Sequence, residues 1–193
     1  MVSYQEKTLK AEGFAYVDSN FFNVFTLPMI AGNQATALTL PQSVVITKET
    51  AKKYFGDADP LGKNIDIKSW NKSFTVTGII NDVPDASHFH FSFFASMSGL
   101  EEARQNSWMT SEFFTYLVLP VGYDHKNLEA KMPGVISKYL GPQLQQGMGM
   151  TLQEFQEKGN ELGLQLQRLT DIHLKSDATG ELSTTGDIRY VYI

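Results

Sequence analysis

The stretch from Ser43 to Ser96 constrains this chain more than any other, because its turn and cap signals leave few ways to fold it. Ser43-Val-Val-Ile-Thr47 is β-branched from Val44 onward, which favours a pleated, buried strand. Thr47 is placed to cap a helix over Lys48–Phe55, in which Ala51, Tyr54 and Phe55 share one face. Gly56 then sits where a left-handed C-terminal residue is wanted. Asp59-Pro60 and Gly62 set a tight reversal, since proline fixes φ and glycine tolerates φ > 0. Strands are predicted over Lys63–Ile67 and Phe74–Ile80, joined by a hairpin connection through Trp70–Ser73. Gly78 marks a bulge or a close backbone approach. His88-Phe-His-Phe-Ser-Phe93 alternates, predicting a further strand with Phe89, Phe91 and Phe93 on one side.

On the N-terminal side, strands are predicted at Val2–Gln5 and Gly13–Val17, with a polar connection between them. Asp18 or Ser19 is suited to cap a short helix carrying Phe21, Phe22, Val24 and Phe25, which Pro28 ends. Gly32 and Asn33 mark a turn, and residues 34–42 read as a loop. On the C-terminal side, a helical turn is expected over Leu100–Gln105 and a strand over Phe113–Leu119. The clearest helical stripe is Leu128, Met132, Val135, Ile136, Tyr139 and Leu140, with Pro133 inside it as a kink or a start and Gly141-Pro142 as its end. Gln143–Met150, with two glycines, reads as a mobile loop, and Thr151-Leu-Gln-Glu154 as a capping box. Leu162, Leu164 and Leu166 alternate with Gly163, Gln165 and Gln167, predicting a strand. The order is α+β, with a βαβ unit expected toward the C-terminal side.

Composition narrows function by exclusion. The 193 residues suffice for one domain or for two small ones sharing a core. A net charge of −5 without a basic run argues against a nucleic-acid-binding face, and gives no reason to expect adhesion to an anionic membrane surface. The absence of cysteine removes disulfides, thiol catalysis and cysteine-ligated zinc together. No stretch reaches the roughly 18–20 apolar residues that span a bilayer. The start, Val2-Ser-Tyr-Gln-Glu-Lys7, lacks the apolar core of a signal peptide.

The residues that could carry chemistry have plainer readings. His88 and His90, with Asp82 and Asp85 upstream, form the one cluster with metal-like spacing, since i and i+2 on a strand share a face. A solvent-facing edge opposite three buried phenylalanines explains the same pattern. Ser87 adjoins His88 in sequence, with no nucleophile elbow around it. Gly56 and Gly62 bracket a turn without the Gly-Lys-Ser/Thr ending of a phosphate loop. Glu101-Glu102 and Asp57/Asp59 fit exposed helix and turn positions. Met148 and Met150 could offer a soft, adaptable surface, although a flexible loop is the simpler reading. No catalytic, cofactor-binding or metal-ligating residue is assigned, and the chain is not read as an enzyme.

Residue order supplies more. Asp18-Ser-Asn-Phe-Phe-Asn-Val-Phe25, Gly32, Ser43–Thr47, Ala51-Lys-Lys-Tyr-Phe-Gly56, Pro60-Leu-Gly-Lys63 and Phe74–Ile79 follow one another as in the periplasmic core domain of MacB-type ABC transporter permeases, of the FtsX-like permease family, which this chain resembles over nearly its whole length. Asn81–His88 and Leu169–Ser176 are similar to the branch common in Bacteroidetes-type bacteria. The resemblance implies a two-lobed α+β domain. A Porter-like βαβ lobe would comprise residues 1–17 and 111–193, with an inserted Sabre lobe of residues 18–110. It further implies that Tyr190–Ile193 approaches a second membrane helix, and that a longer strand–helix region precedes the start.

The implied function is mechanical: a periplasmic domain of a cytoplasmic-membrane permease that couples ATP hydrolysis to conformational change, in export or mechanotransmission. An ABC ATPase subunit, a second permease copy, and a periplasmic adaptor or other periplasmic protein are the implied partners. The competing reading is an extracytoplasmic ligand- or protein-binding sensor on the same scaffold, using the Gln143–Met150 segment or the aromatic face of the Sabre lobe.

Overall fold

The computed structural model describes residues 1–4, 7–9, 13–109, 113–175 and 182. The chain divides into two compact units, one built mainly from Met1–Gln105 and the other mainly from Asn106–Ala178.

The first unit is a mixed sheet of eight strands among the described residues. These are β1 (Val2–Tyr4), β2 (Lys7–Leu9), β3 (Phe14–Val17), β4 (Met29–Gly32), β5 (Ser43–Thr47), β6 (Asn64–Ile67), β7 (Lys72–Ile80) and β8 (Phe93–Ser96). Their order is β2-β1-β6-β7-β5-β8-β3, with β4 paired to the C-terminal end of β7. β5 is central, parallel to β7 and antiparallel to β8, while β3 closes the far edge parallel to β8. Every residue of β5 is buried, as is every residue of β8, so both faces of the sheet are covered there. That explains the unbroken β-branched run of β5: a strand covered on both faces has no solvent side to make polar.

On one face lie Val44, Ile46, Ile65, Ile67, Phe74, Val76, Phe93 and Ala95, covered by Tyr54 and Phe55 of the helix α2 (Lys48–Phe55). Thr47 accepts the Thr50 amide as its cap, and the Glu49 amide donates to Asp82 Oδ1 at 2.8 Å, so α2 is capped twice. On the other face the short helix α1 (Phe21–Val24) packs Phe21 and Phe22 against Phe94, and Phe89 fills the space beside Phe21 and Phe25. Thr77 is the residue skipped where β7 pairs with β5, and its hydroxyl donates to Ala37 O at 2.6 Å. Beside this irregularity, the side chains of Met29 and Val45 come within 3.2 Å of where a Cβ on Gly78 would stand.

The second unit is helical: α3 (Lys126–Glu129), α4 (Met132–Val135), a π turn (Ile136–Leu140), α5 (Gly141–Met148), α6 (Leu152–Glu157) and α7 (Ile172–Lys175). Ile136, Leu140 and Leu144, at i, i+4 and i+8, are its buried stripe among the described residues.

Several sequence expectations are corrected. Phe113–Leu119 and Leu162–Leu166 are not strands, so the expected βαβ unit toward the C-terminal side is not formed. Their alternation satisfies strand propensity, but a strand exists only where a neighbour completes its hydrogen bonds. The helix of 127–140 is interrupted after Glu129, restarts with Pro133 in the first turn of α4, and runs on through Gly141-Pro142. Gln143–Met148 is therefore helix rather than loop, with Leu144 buried. The predicted strand over His88–Phe93 begins only at Phe93, where Gly13 O accepts the amides of both Ser92 and Phe93. β2 and β4 add strands in segments read as connection and turn. β1 and β3 are both hydrogen-bonded into the sheet that carries Ser43–Ser96.

Candidate functional site

The histidine pair does not form a site. His88 is buried with its ring 5.0 Å from that of Phe89, while His90 is exposed, so the two share no face. The reason is local: Ser87 N–H donates to Pro84 O and Ser87 Oγ accepts the Phe89 amide, which holds this segment in turns. Asp82 is spent on the α2 cap. No group of three or more His, Asp or Glu side chains among the described residues could hold a metal ion.

The other singled-out residues are architectural. Asp59 Oδ1 accepts the Leu61 amide, and Gly62 N–H donates to Val76 O while Val76 N–H donates to Lys63 O, stitching the reversal to β7. Asp57 is paired with Lys52 on the surface, and the ammonium holds its carboxyl below the ordinary range. Glu154 accepts the Thr151 amide and hydroxyl at 2.7 and 2.9 Å, and these bonds likewise lower its pKa. Met148 is exposed at the end of α5, next to Gly149 in the left-handed conformation.

Exposed apolar and aromatic side chains are available to a partner. In the first unit Trp70, 46% exposed, stands edge-on to Phe14 at 4.8 Å and stacks near Tyr16 at 6.2 Å, with Lys72 Nζ 5.8 Å from the Tyr16 ring. In the second unit Phe113, Phe114, Leu117, Val118 and Val121 are all exposed, Val118 to 73%. A run of this kind is more apolar than a solvated connection needs to be. Sequence reasoning placed Phe113–Leu119 in a strand; with no ladder there, Phe113, Phe114, Leu117 and Val118 stand exposed. None of these arrangements contains an acid–base pair or a nucleophile, so what they can do is present apolar and aromatic area.

The profile of the MacB-like periplasmic core domain matches residues 1–134. The chain belongs to that family. MacB-like periplasmic core domains are parts of ABC transporter permeases and not a recognised class of enzyme. The match ends short of the near-complete span suggested by the residue patterns. Among curated proteins none matches this chain. Of solved structures, a domain from a Porphyromonas gingivalis protein assigned as a permease superimposes with a TM-score of 0.58 at 19% identity, covering 80% of this chain and 66% of that one. The extracellular domain of the noncanonic ABC-type transporter YknZ from Gram-positive bacteria gives 0.40 at 20% identity, over 52% of this chain and 51% of that one. The periplasmic region of MacB from Actinobacillus actinomycetemcomitans gives 0.39 at 18% identity, over 76% and 64%. The chain thus spans slightly under two thirds, or less, of the structures it matches. The first of these likenesses shows a shared α+β fold. No helix among the described residues is long and apolar enough to cross a membrane.

Proposed function

We propose that this MacB-like core domain is the extracytoplasmic part of an ABC transporter permease subunit, and that it couples cytoplasmic ATP hydrolysis to conformational change in the periplasm, for export or mechanical signalling. The family match over residues 1–134 carries this reading. Its physical support is that the well-placed residues within that range serve shape. Caps, left-handed glycines and a sheet covered on both faces make a body stiff enough to transmit displacement, and no preorganised reaction centre accompanies them among the described residues. An ABC ATPase subunit acting through the intact permease, a second permease copy and a periplasmic adaptor are the partners this function requires.

The test is amide hydrogen exchange of this domain within the intact permease, with its ATPase, through the nucleotide cycle. Exchange in the domain is expected to change on ATP binding. A domain whose exchange ignores nucleotide while the ATPase turns over would overturn the proposal.

The exposed apolar run Phe113–Val121 favours a second reading, a protein- or ligand-binding sensor on the same scaffold. Micromolar binding of a peptide or lipid by the chain, without any response to nucleotide, would select it. The Gln143–Met150 surface supports it less, because Leu144 is buried within α5.

A further inference from the structure

In the sheet of the first unit, β3 is last in the order, and no described strand lies on its other side. Gly13 O accepts the Phe93 amide. By the alternation of a strand, Ala15 and Val17 then turn their backbone groups to β8, while Phe14 and Tyr16 turn theirs outward. The N–H and C=O groups of Phe14 and Tyr16 thus form an open row with no ladder partner among the described residues. Edges of this kind are normally blunted by a charge, a proline or a bulge. The opposite edge strand, β2, opens with Lys7. β3 is Phe-Ala-Tyr-Val, uncharged and in unbroken register with β8.

The flank of this edge is aromatic and basic. Phe14 and Tyr16, both half-buried, lie on the core face, where Trp70 meets each ring and Lys72 Nζ stands 5.8 Å from that of Tyr16. Lys68 and Lys72 bracket Trp70 with no acid between them, and neither forms an ion pair among the described residues. Asp66 lies on the exposed face of β6, away from the buried Ile65 and Ile67, and Asp18 lies beyond the end of β3. On the other face Ala15 and Val17 are uncharged, and Phe94, in register with Ala15, is packed by Phe21 and Phe22.

We propose that the β3 edge takes up an extended acidic segment of a partner protein as an added strand. The backbone of that segment pairs with Phe14 and Tyr16. Every second side chain, a carboxylate, faces Lys72 beside Trp70, and the intervening apolar side chains continue the uncharged face of Ala15 and Val17. A second copy pairing edge to edge would instead bring Lys72 toward its own counterpart on that face, and like charges oppose such pairing. The site rests on the strand edge and not on the permease reading.

The probe is an acetylated and amidated hexapeptide of alternating Glu and Val, with its Lys-Val counterpart as control, added to the full chain without nucleotide. At saturating peptide the Phe14 and Tyr16 amides should slow in exchange by about 2- to 10-fold, the range of one hydrogen bond formed. Ala15 and Val17, already bonded to β8, should not respond. Lys72→Glu should weaken the Glu-Val peptide by about 10-fold and favour the Lys-Val one instead. Should the Val45 amide lose protection in that variant, salt decides in the unaltered chain: affinity should fall severalfold between about 0.05 and 0.5 M, and an affinity indifferent to salt sinks the proposal. No response at millimolar peptide, an equal response to both peptides, or equal slowing of all the β3 amides would overturn it. Protection of Phe14 and Tyr16 that grows with chain concentration alone would also overturn it, assigning the edge to a second copy. These failures leave the permease reading untouched, and exchange that ignores nucleotide leaves the edge site standing.

Discussion

At the scale of single residues, the glycines separate into two kinds. Gly32 has φ +90°, and a Cβ there would fall on Thr77 O and lie 2.8 Å from Gly78 Cα, both backbone atoms. Gly56 has φ +64° with open space around it. Gly56→Ala should therefore cost only the backbone strain of its φ +64°, ψ −119° conformation, about 1–3 kcal/mol. Gly32→Ala should cost more, because the strand itself has to move; denaturant midpoints showing equal losses would contradict the packing argument. Glu154 makes a pH prediction. Its pKa is lowered in the folded chain, so its contribution to stability is complete above the ordinary carboxylate pKa and lost as pH falls through the depressed value. Acidification should loosen the first turn of α6, seen as a shift of the Thr151 amide resonance, and Glu154→Gln should abolish that titration.

At the scale of elements, α2 is specified locally and then reinforced from afar. Thr47→Ala should destabilise by about 1–2 kcal/mol. Asp82→Ala should add to it incompletely, since both caps serve one helix end; full additivity in urea melts would mean the two act independently. Phe74 is buried among Phe14, Tyr16 and the α2 contacts, so Phe74→Ala should cost about 3–5 kcal/mol. Val118→Ser should stay within about 0.5 kcal/mol, as for an exposed position. Residue types alone would rank Val118 as core: it sits in Phe113–Leu119, whose β propensity is as good as that of β5. What distinguishes them is the ladder, since β5 has partners on both sides and residues 113–119 pair with none of the described strands.

At the scale of the whole molecule, the two units differ in what holds them. The sheet unit buries side chains on both faces of β5 and β8, whereas the described buried stripe of the second unit is Ile136, Leu140 and Leu144. Amide exchange should therefore be slowest in β5, β7 and β8 and faster throughout α3–α5. Uniform protection across both units would show a single cooperative core instead. The MacB-like assignment fits this asymmetry, for the family match takes in the whole of the sheet and stops at Gly134 in α4.

The sequence by itself determined the features whose causes are local. The Thr47 and Thr151 caps, the Gly56 and Gly62 reversals and the β5–α2 succession each depend on atoms a few residues apart, and each formed where the residues placed it. The α+β class and the family resemblance followed from their order. Tertiary structure alone decided what depends on distant partners: the pairing of β3 with β8, the Asp82 cap, the burial of His88 apart from His90, the outward face of Phe113–Leu119 and the bonds of the Gln143 side chain to Asn106 O and the Trp108 amide. A turn or a cap is fixed by the torsions of its own residues, whereas a ladder, a long-range side-chain bond or a buried face exists only when the fold delivers the other half.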